Sequence, residues 1–169
     1  MSSEKWFDDY SDVIYSYILL IVRDLHIAED LTQETFLKVI ANEHRFKGQS
    51  SIKTWIFRIA YTTTMSYYRK NKRQMHHLRT SNIDSNIASS PEEIMLLNLQ
   101  HKQFYVALNS LKPSYAQIII LRKIKGFSTK ETATVLACSD GTVKMRLSRA
   151  LSSFKRELER GGITSETFI

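Results

Sequence analysis

The sequence predicts an all-α protein: two small helical domains joined by a flexible linker, the second containing a helix-turn-helix. Three observations carry that prediction. Only five glycines and two prolines occur in 169 residues, too few for the many turns of an all-β chain. Apolar residues recur at three- and four-residue spacing in window after window, the period of a helix with one buried face. A single Ser- and Asn-rich stretch, 74–91, loses that period and has the composition of a linker. A hydrophobic fraction of 43% is enough for a real core.

The elements follow in order. Over the first ~25 residues, Phe7, Tyr10, Ile14, Tyr17, Ile18 and Ile21 form one helical stripe. A second helix is expected over 28–42 and a third over 51–72, with Gly48 breaking the chain between them. After the linker, Pro91 followed by Glu92 and Glu93 suits a helix start, because proline fits the first turn and acids complement its dipole. That fourth helix should run to about 109. Pro113 opens a fifth that ends near Gly126, and two more cover about 128–137 and 140–159. The domains are thus 1–73 and 92–160, with 161–169 as a frayed tail.

No window approaches ~18 uninterrupted apolar residues, so no membrane-spanning helix and no direct membrane insertion are expected. The acidic start lacks a signal peptide's basic and apolar regions. A lone cysteine, Cys138, excludes an internal disulfide framework and a cysteine-based zinc cluster. A cytoplasmic protein without cofactor or metal is expected.

The net charge of +7 is unevenly placed. Residues 1–50 sum to −4, 51–80 to +7 with no acid, 81–99 to −3 and 100–169 to +7. Two basic blocks on either side of an acidic spacer point to two polyanion-binding surfaces.

In the second block, Ser128 and Glu131 have the spacing of a capping box, and Ser139 can cap the next helix. Ala133, Val135 and Leu136 supply the first helix's packing residues. Val143, Leu147, Ala150, Leu151 and Phe154 make the inward stripe of the second. Lys144, Met145, Ser148 and Arg149 fall elsewhere, near its N-terminal half. Two short helices, a tight turn and a basic start to the second helix make a helix-turn-helix, whose second helix meets base edges in a major groove.

In the first block, Ile52, Trp55, Ile56, Ile59, Ala60, Thr63 and Ser66 share one arc of a helical wheel and read as core. Phe57, Arg58, Tyr61, Thr62, Met65, Tyr68 and Arg69 fall opposite. Rings set among cations suit unpaired bases, which stack on aromatic faces while cations hold the backbone. A duplex reader and a single-strand reader on one chain imply DNA opening. No phosphate-binding G-x-x-x-x-G-K-[ST] loop is present, so the energy must come from a partner.

That partner has a candidate surface in residues 28–40. Ala28, Leu31, Phe36, Val39 and Ile40 form the apolar arc, while Asp30, Gln33, Glu34 and Leu37 lie on the other side. A leucine inside an acidic-polar rim is how protein interfaces are built, and the acids would repel DNA.

Three stretches together resemble the bacterial RNA polymerase sigma factors of the extracytoplasmic-function (ECF) class: AEDLTQETFLKV, FKGQSSIKTWIFRIAYTTTMSYYRKNKR and ALNSLKPSYAQIIILRKIKGFSTKETATVLACSDGTVKMRLSRA. The resemblance covers nearly the whole chain, in order. It implies a non-catalytic promoter-specificity subunit that recruits core RNA polymerase and stabilises the melted −10 region. Asp30, Gln33, Glu34 and Leu37 would dock on the coiled coil of the polymerase's largest subunit. Phe46, Lys47, Gly48 and Gln49 would help form a pocket for a flipped −10 base, with Thr62 beside it and Arg58, Tyr61, Tyr68 and Arg69 on the same DNA. Thr142, Lys144, Met145, Ser148 and Arg149 would face the −35 duplex, with Arg146 on phosphate or base. An inhibitory anti-sigma factor is a usual partner of the class. Three departures stand out. Thr62 and Ser66 replace the family's frequent Asn and Asp, Thr132 replaces a core Ile, and the Arg common near Ala116 and Gln117 is missing.

Two rivals remain at this point. A stand-alone helix-turn-helix regulator would use 113–158 but leave 28–40 and the aromatic-basic helix idle. A nucleic-acid-processing enzyme would have only Cys138 with His76 or His77 to offer.

Overall fold

A computed structural model of the chain describes residues 3–71 and 99–162. The linker at 74–91, the expected helix start at Pro91 and the tail beyond Gly162 lie outside the described residues. The described residues form helices joined by short loops, without a strand. They form two compact units that follow chain order, except that Thr134–Ala137 group with the N-terminal one.

In the N-terminal unit, α1 (Ser3–Val22), α2 (Leu25–Ala41) and α3 (Ile52–Lys70) pack on one another. Arg23 adopts a left-handed φ of 58° between α1 and α2. The next residue, Asp24, caps α2 by accepting the Ile27 amide at 2.9 Å. A single 3-10 turn, Glu43–Arg45, leads into the loop that ends at Ser51, which caps α3 through the Thr54 amide at 3.1 Å. Gly48 has φ 68°, so the breaker read from the sequence occupies a backbone region that favours glycine.

The expected stripe of α1 is largely inward, with Ile14, Tyr17, Ile18 and Ile21 buried. Phe7 is the exception. It is 45% exposed, and its neighbour Trp6 takes the buried place. The core arc of α3 is also rotated from the one expected. Ile56, Ala60 and Thr63 are buried as predicted, but so are Phe57, Thr54 and Thr64, while Ile52, Trp55, Ile59 and Ser66 are half-buried. The reason lies in the threonines. Thr64 donates to the Ala60 carbonyl at 2.8 Å and Thr54 pairs with the Ser51 hydroxyl at 2.8 Å. A hydroxyl satisfied inside its own helix is cheap to bury, and apolar periodicity does not register it.

The C-terminal unit contains α4 (Leu99–Ser110), α5 (Pro113–Ile119), the larger part of α6 (Thr129–Leu136) and α7 (Asp140–Arg160). Proline sits in the first turn of α5 as read. The helix does not continue regularly to Gly126. It widens into a π-turn, Ile120–Ile124, closed by the Lys125 amide on the Ile120 carbonyl at 2.8 Å. Gly126 then turns the chain at φ 72°. α4 and α5 both pack on α7, where Phe104 meets Phe154 edge-on at 5.1 Å.

Candidate polymerase and nucleic-acid interfaces

Three exposed faces carry the residues singled out from the sequence. The first lies on α2. Leu37 is 67% exposed at its centre, and Asp30, Gln33 and Glu34 surround it in the open. Glu34 forms an exposed ion pair with Lys38 at 2.6 Å, a contact that contributes little stability. Lys38 also reaches the Thr63 hydroxyl at 3.1 Å, tying this face to α3. Ile40, expected in the inward arc, is 51% exposed instead. Phe36 packs edge-on against Phe7 at 4.9 Å, and Phe7 and Ile40 are exposed apolar side chains besides Leu37. Sequence reasoning missed both, because each belongs to a stripe whose other members are mostly buried.

The second face joins the loop before α3 to the outer side of that helix. Lys47, Gly48 and Gln49 are exposed, as are Thr62 and Arg69. Phe46 is half-buried in a ring cluster, 5.3 Å from Trp55 and 6.0 Å from Trp6. Trp55 stands two turns before Thr62, so the two lie on one side of α3. The tryptophan read as core therefore borders this face, and the seven-residue spacing to Thr62 was the signal for it. The Thr62 hydroxyl donates back to the Ile59 carbonyl at 3.0 Å, which leaves its lone pairs outward. Arg58 and Tyr61 are half-buried.

Two rings leave the expected stacking face. Phe57 is fully buried and tilts against Tyr17 at 5.0 Å. Tyr68 packs toward α1 and donates its hydroxyl to the Ile21 carbonyl at 2.5 Å. That carbonyl lies in the last turn of α1, where helical partners run out, so Tyr68 serves as a helix-end clamp. Tyr67 beside it has a raised pKa, chiefly from burial and secondarily from the Asp24 carboxylate.

The third face is on α7. The capping box at the start of α6 forms in full: the Ser128 hydroxyl accepts the Glu131 amide at 3.1 Å, and the Glu131 carboxylate accepts the Ser128 amide at 2.8 Å. Ala137 turns the chain at φ 52°, and Ser139 caps α7 by accepting the Thr142 amide at 3.1 Å. Val143, Ala150 and Phe154 are buried, with Leu147 and Leu151 half-buried beside them. Lys144, Met145, Ser148 and Arg149 are exposed together and Arg146 partly so. The Thr142 hydroxyl is already paired with Ser139 at 2.9 Å, so Thr142 shapes the cap.

These faces on two helical units are the architecture of a sigma-70-type initiation factor. Residues 6–74 match the Sigma-70 region 2 family and residues 101–153 match Sigma-70, region 4. The chain is 30% identical over 158 residues to the ECF RNA polymerase sigma factor SigX of Bacillus subtilis, covering 90% of this chain and 81% of that protein. It is 28% identical over 161 residues to the RNA polymerase sigma factor YlaC of the same organism, covering 94% and 93%. The sigma factor RpoE of Bartonella quintana, solved in complex with the anti-sigma factor NepR, superposes with a TM-score of 0.75 at 27% identity, over 92% of this chain and 96% of that one. The chain belongs to the ECF family of RNA polymerase sigma factors. It is a promoter-directing subunit and not a stand-alone regulator. Among the described residues no helix is long and apolar enough to cross a membrane.

Proposed function

We propose that the three faces divide the work of initiation among them. Asp30, Gln33, Glu34 and Leu37 dock on the coiled coil of the polymerase's largest subunit. The loop Phe46, Lys47, Gly48 and Gln49, with Thr62, receives an unpaired base of the −10 region, and Arg58, Tyr61 and Arg69 hold the strand beside it. Tyr68 supports that face by fixing α1 against α3. Lys144, Met145, Ser148 and Arg149, flanked by Arg146 and the Thr142 cap, enter the major groove of the −35 duplex. The division places the −10 and polymerase contacts in 1–73 and the −35 contacts in 92–160, with 74–91 as the linker. Work on the DNA takes place where core polymerase resides, in the cytoplasm.

The observation that carries this reading is Leu37: a large aliphatic side chain 67% exposed among acids and an amide. Exposed apolar area costs about 25 cal/mol per Å² relative to burial, and a polymerase helix covering it would recover that. An anti-sigma factor is proposed as a competitor on the same unit, since RpoE of Bartonella quintana was solved with one.

Run-off transcription with purified bacterial core polymerase tests the proposal. Discrete transcripts that need this chain are expected, and Asp30→Arg with Leu37→Arg should abolish them by removing core binding. Full core affinity in that double variant would place the docking face elsewhere.

A further inference from the structure

We propose that Met145 is a specificity-determining residue that reads the C5-methyl group of a thymine in the −35 duplex. The inference rests on the reading of α7 as the −35 helix.

Taking 100° per residue, Phe154 lies on the opposite side of α7 from Met145. Phe154 is buried and Met145 is 48% exposed, so Met145 occupies the centre of the outward face. Ser148 and Arg149 flank it one turn later, and both are exposed. Helical side chains lean toward the N-terminus, over the residues three and four positions earlier. For Met145 those are Thr142, whose hydroxyl is held in the cap, and Gly141, which has no side chain. Neither carries a long side chain. It projects toward the end of the helix that enters a major groove.

The chemistry then selects the base feature. Lys144 and Arg149 can donate to phosphate or to guanine, and Ser148 can donate or accept. A methionine thioether offers no hydrogen-bond donor and only a weak acceptor. The single apolar feature that a base pair presents in the major groove is the thymine methyl. A flexible, polarisable side chain suits that contact, because it can settle on the methyl without exact backbone placement. A polar base edge under Met145 would instead lose its water without gaining a partner.

The test uses the full chain with core polymerase on a promoter fragment recovered by run-off transcription. Each thymine of the −35 element, on either strand, is replaced singly by uracil, which lacks only the methyl. One replacement should weaken binding about three- to fourfold in the wild type, the size expected for burial of one methyl group. The same replacement should be neutral in Met145→Ala, while Met145→Leu keeps the discrimination. Uracil tolerated at every position, with −35 base-pair swaps still weakening binding, would overturn the proposal and leave the −35 reading intact. A penalty that persists undiminished in Met145→Ala would assign the methyl to another residue and overturn it equally. Base-pair swaps without effect would instead overturn the −35 reading of α7, and the proposal with it.

Discussion

At the scale of single residues, two buried hydroxyls are out of step with their surroundings. Thr132 is fully buried in α6, and its hydroxyl finds no partner. The sequence marked this position as a departure from a core isoleucine, and the structure supplies the physical reason it matters. An unpaired buried hydroxyl costs about 1–3 kcal/mol. Thr132→Val keeps the shape and removes the hydroxyl, so it should stabilise the C-terminal unit by about 1 kcal/mol and raise its thermal midpoint by several degrees. Calorimetry on the two proteins checks this, and an unchanged midpoint would show the hydroxyl is satisfied in solution. Tyr17 is the second case. Burial, with a smaller contribution from Tyr61, raises its pKa above tyrosine's ordinary 10.0. The folded state then holds the phenolic proton after the unfolded chain has released it. The stability tied to Tyr17 is therefore intact below pH 10.0 and falls as pH rises from there toward the raised folded value. Tyr17→Phe should flatten this alkaline loss, read as a smaller drop in thermal midpoint between about pH 9 and about pH 11.

At the scale of elements, helix ends were the most legible feature of the sequence. Ser128 with Glu131, Ser139 and Pro113 each act as spacing alone predicted, because a cap is a local arrangement of a few residues. The turn between α6 and α7 was legible as a break but not in its conformation. There Ala137 takes a left-handed φ of 52°, a region that costs a residue with a Cβ about 1 kcal/mol or more. Ala137→Gly should relieve that strain and stabilise the protein by about 0.5–1 kcal/mol, less than the full strain because glycine also frees the unfolded chain. A denaturant midpoint that falls in the variant would show that the turn draws its stability from the alanine side chain. The π-turn at Ile120–Ile124 left no sign in the sequence: its apolar residues continue the α5 pattern, and the extra residue per turn is set by packing.

At the scale of the whole molecule, the two basic blocks sit on separate helical units, so their contributions to DNA binding can be tested separately. Lys144 and Arg149 are both exposed on α7. Replacing both with alanine should reduce the salt slope of duplex binding by about two, at roughly 0.9 for each phosphate no longer neutralised. Affinity for core polymerase should stay unchanged, because the proposed docking face belongs to the other unit. Binding isotherms over a salt series decide the matter, and an unaltered slope would place both side chains off the phosphates.

The sequence alone determined the helical class, the order of the helices, the caps at Ser128 and Ser139, the domain order and the family. Each of these follows from local propensity, short-range capping or an ordered set of motifs. Tertiary structure decided which side of α3 faces the core. Hydroxyls of Thr54 and Thr64 satisfied within the helix and its cap allowed burial that hydrophobic spacing does not register. That rotation took Phe57 and Tyr68 off the expected stacking face and brought Trp55 to the edge of the Thr62 face. It is a choice among neighbouring arcs of one helix, and only packing against α1 and α2 separates them.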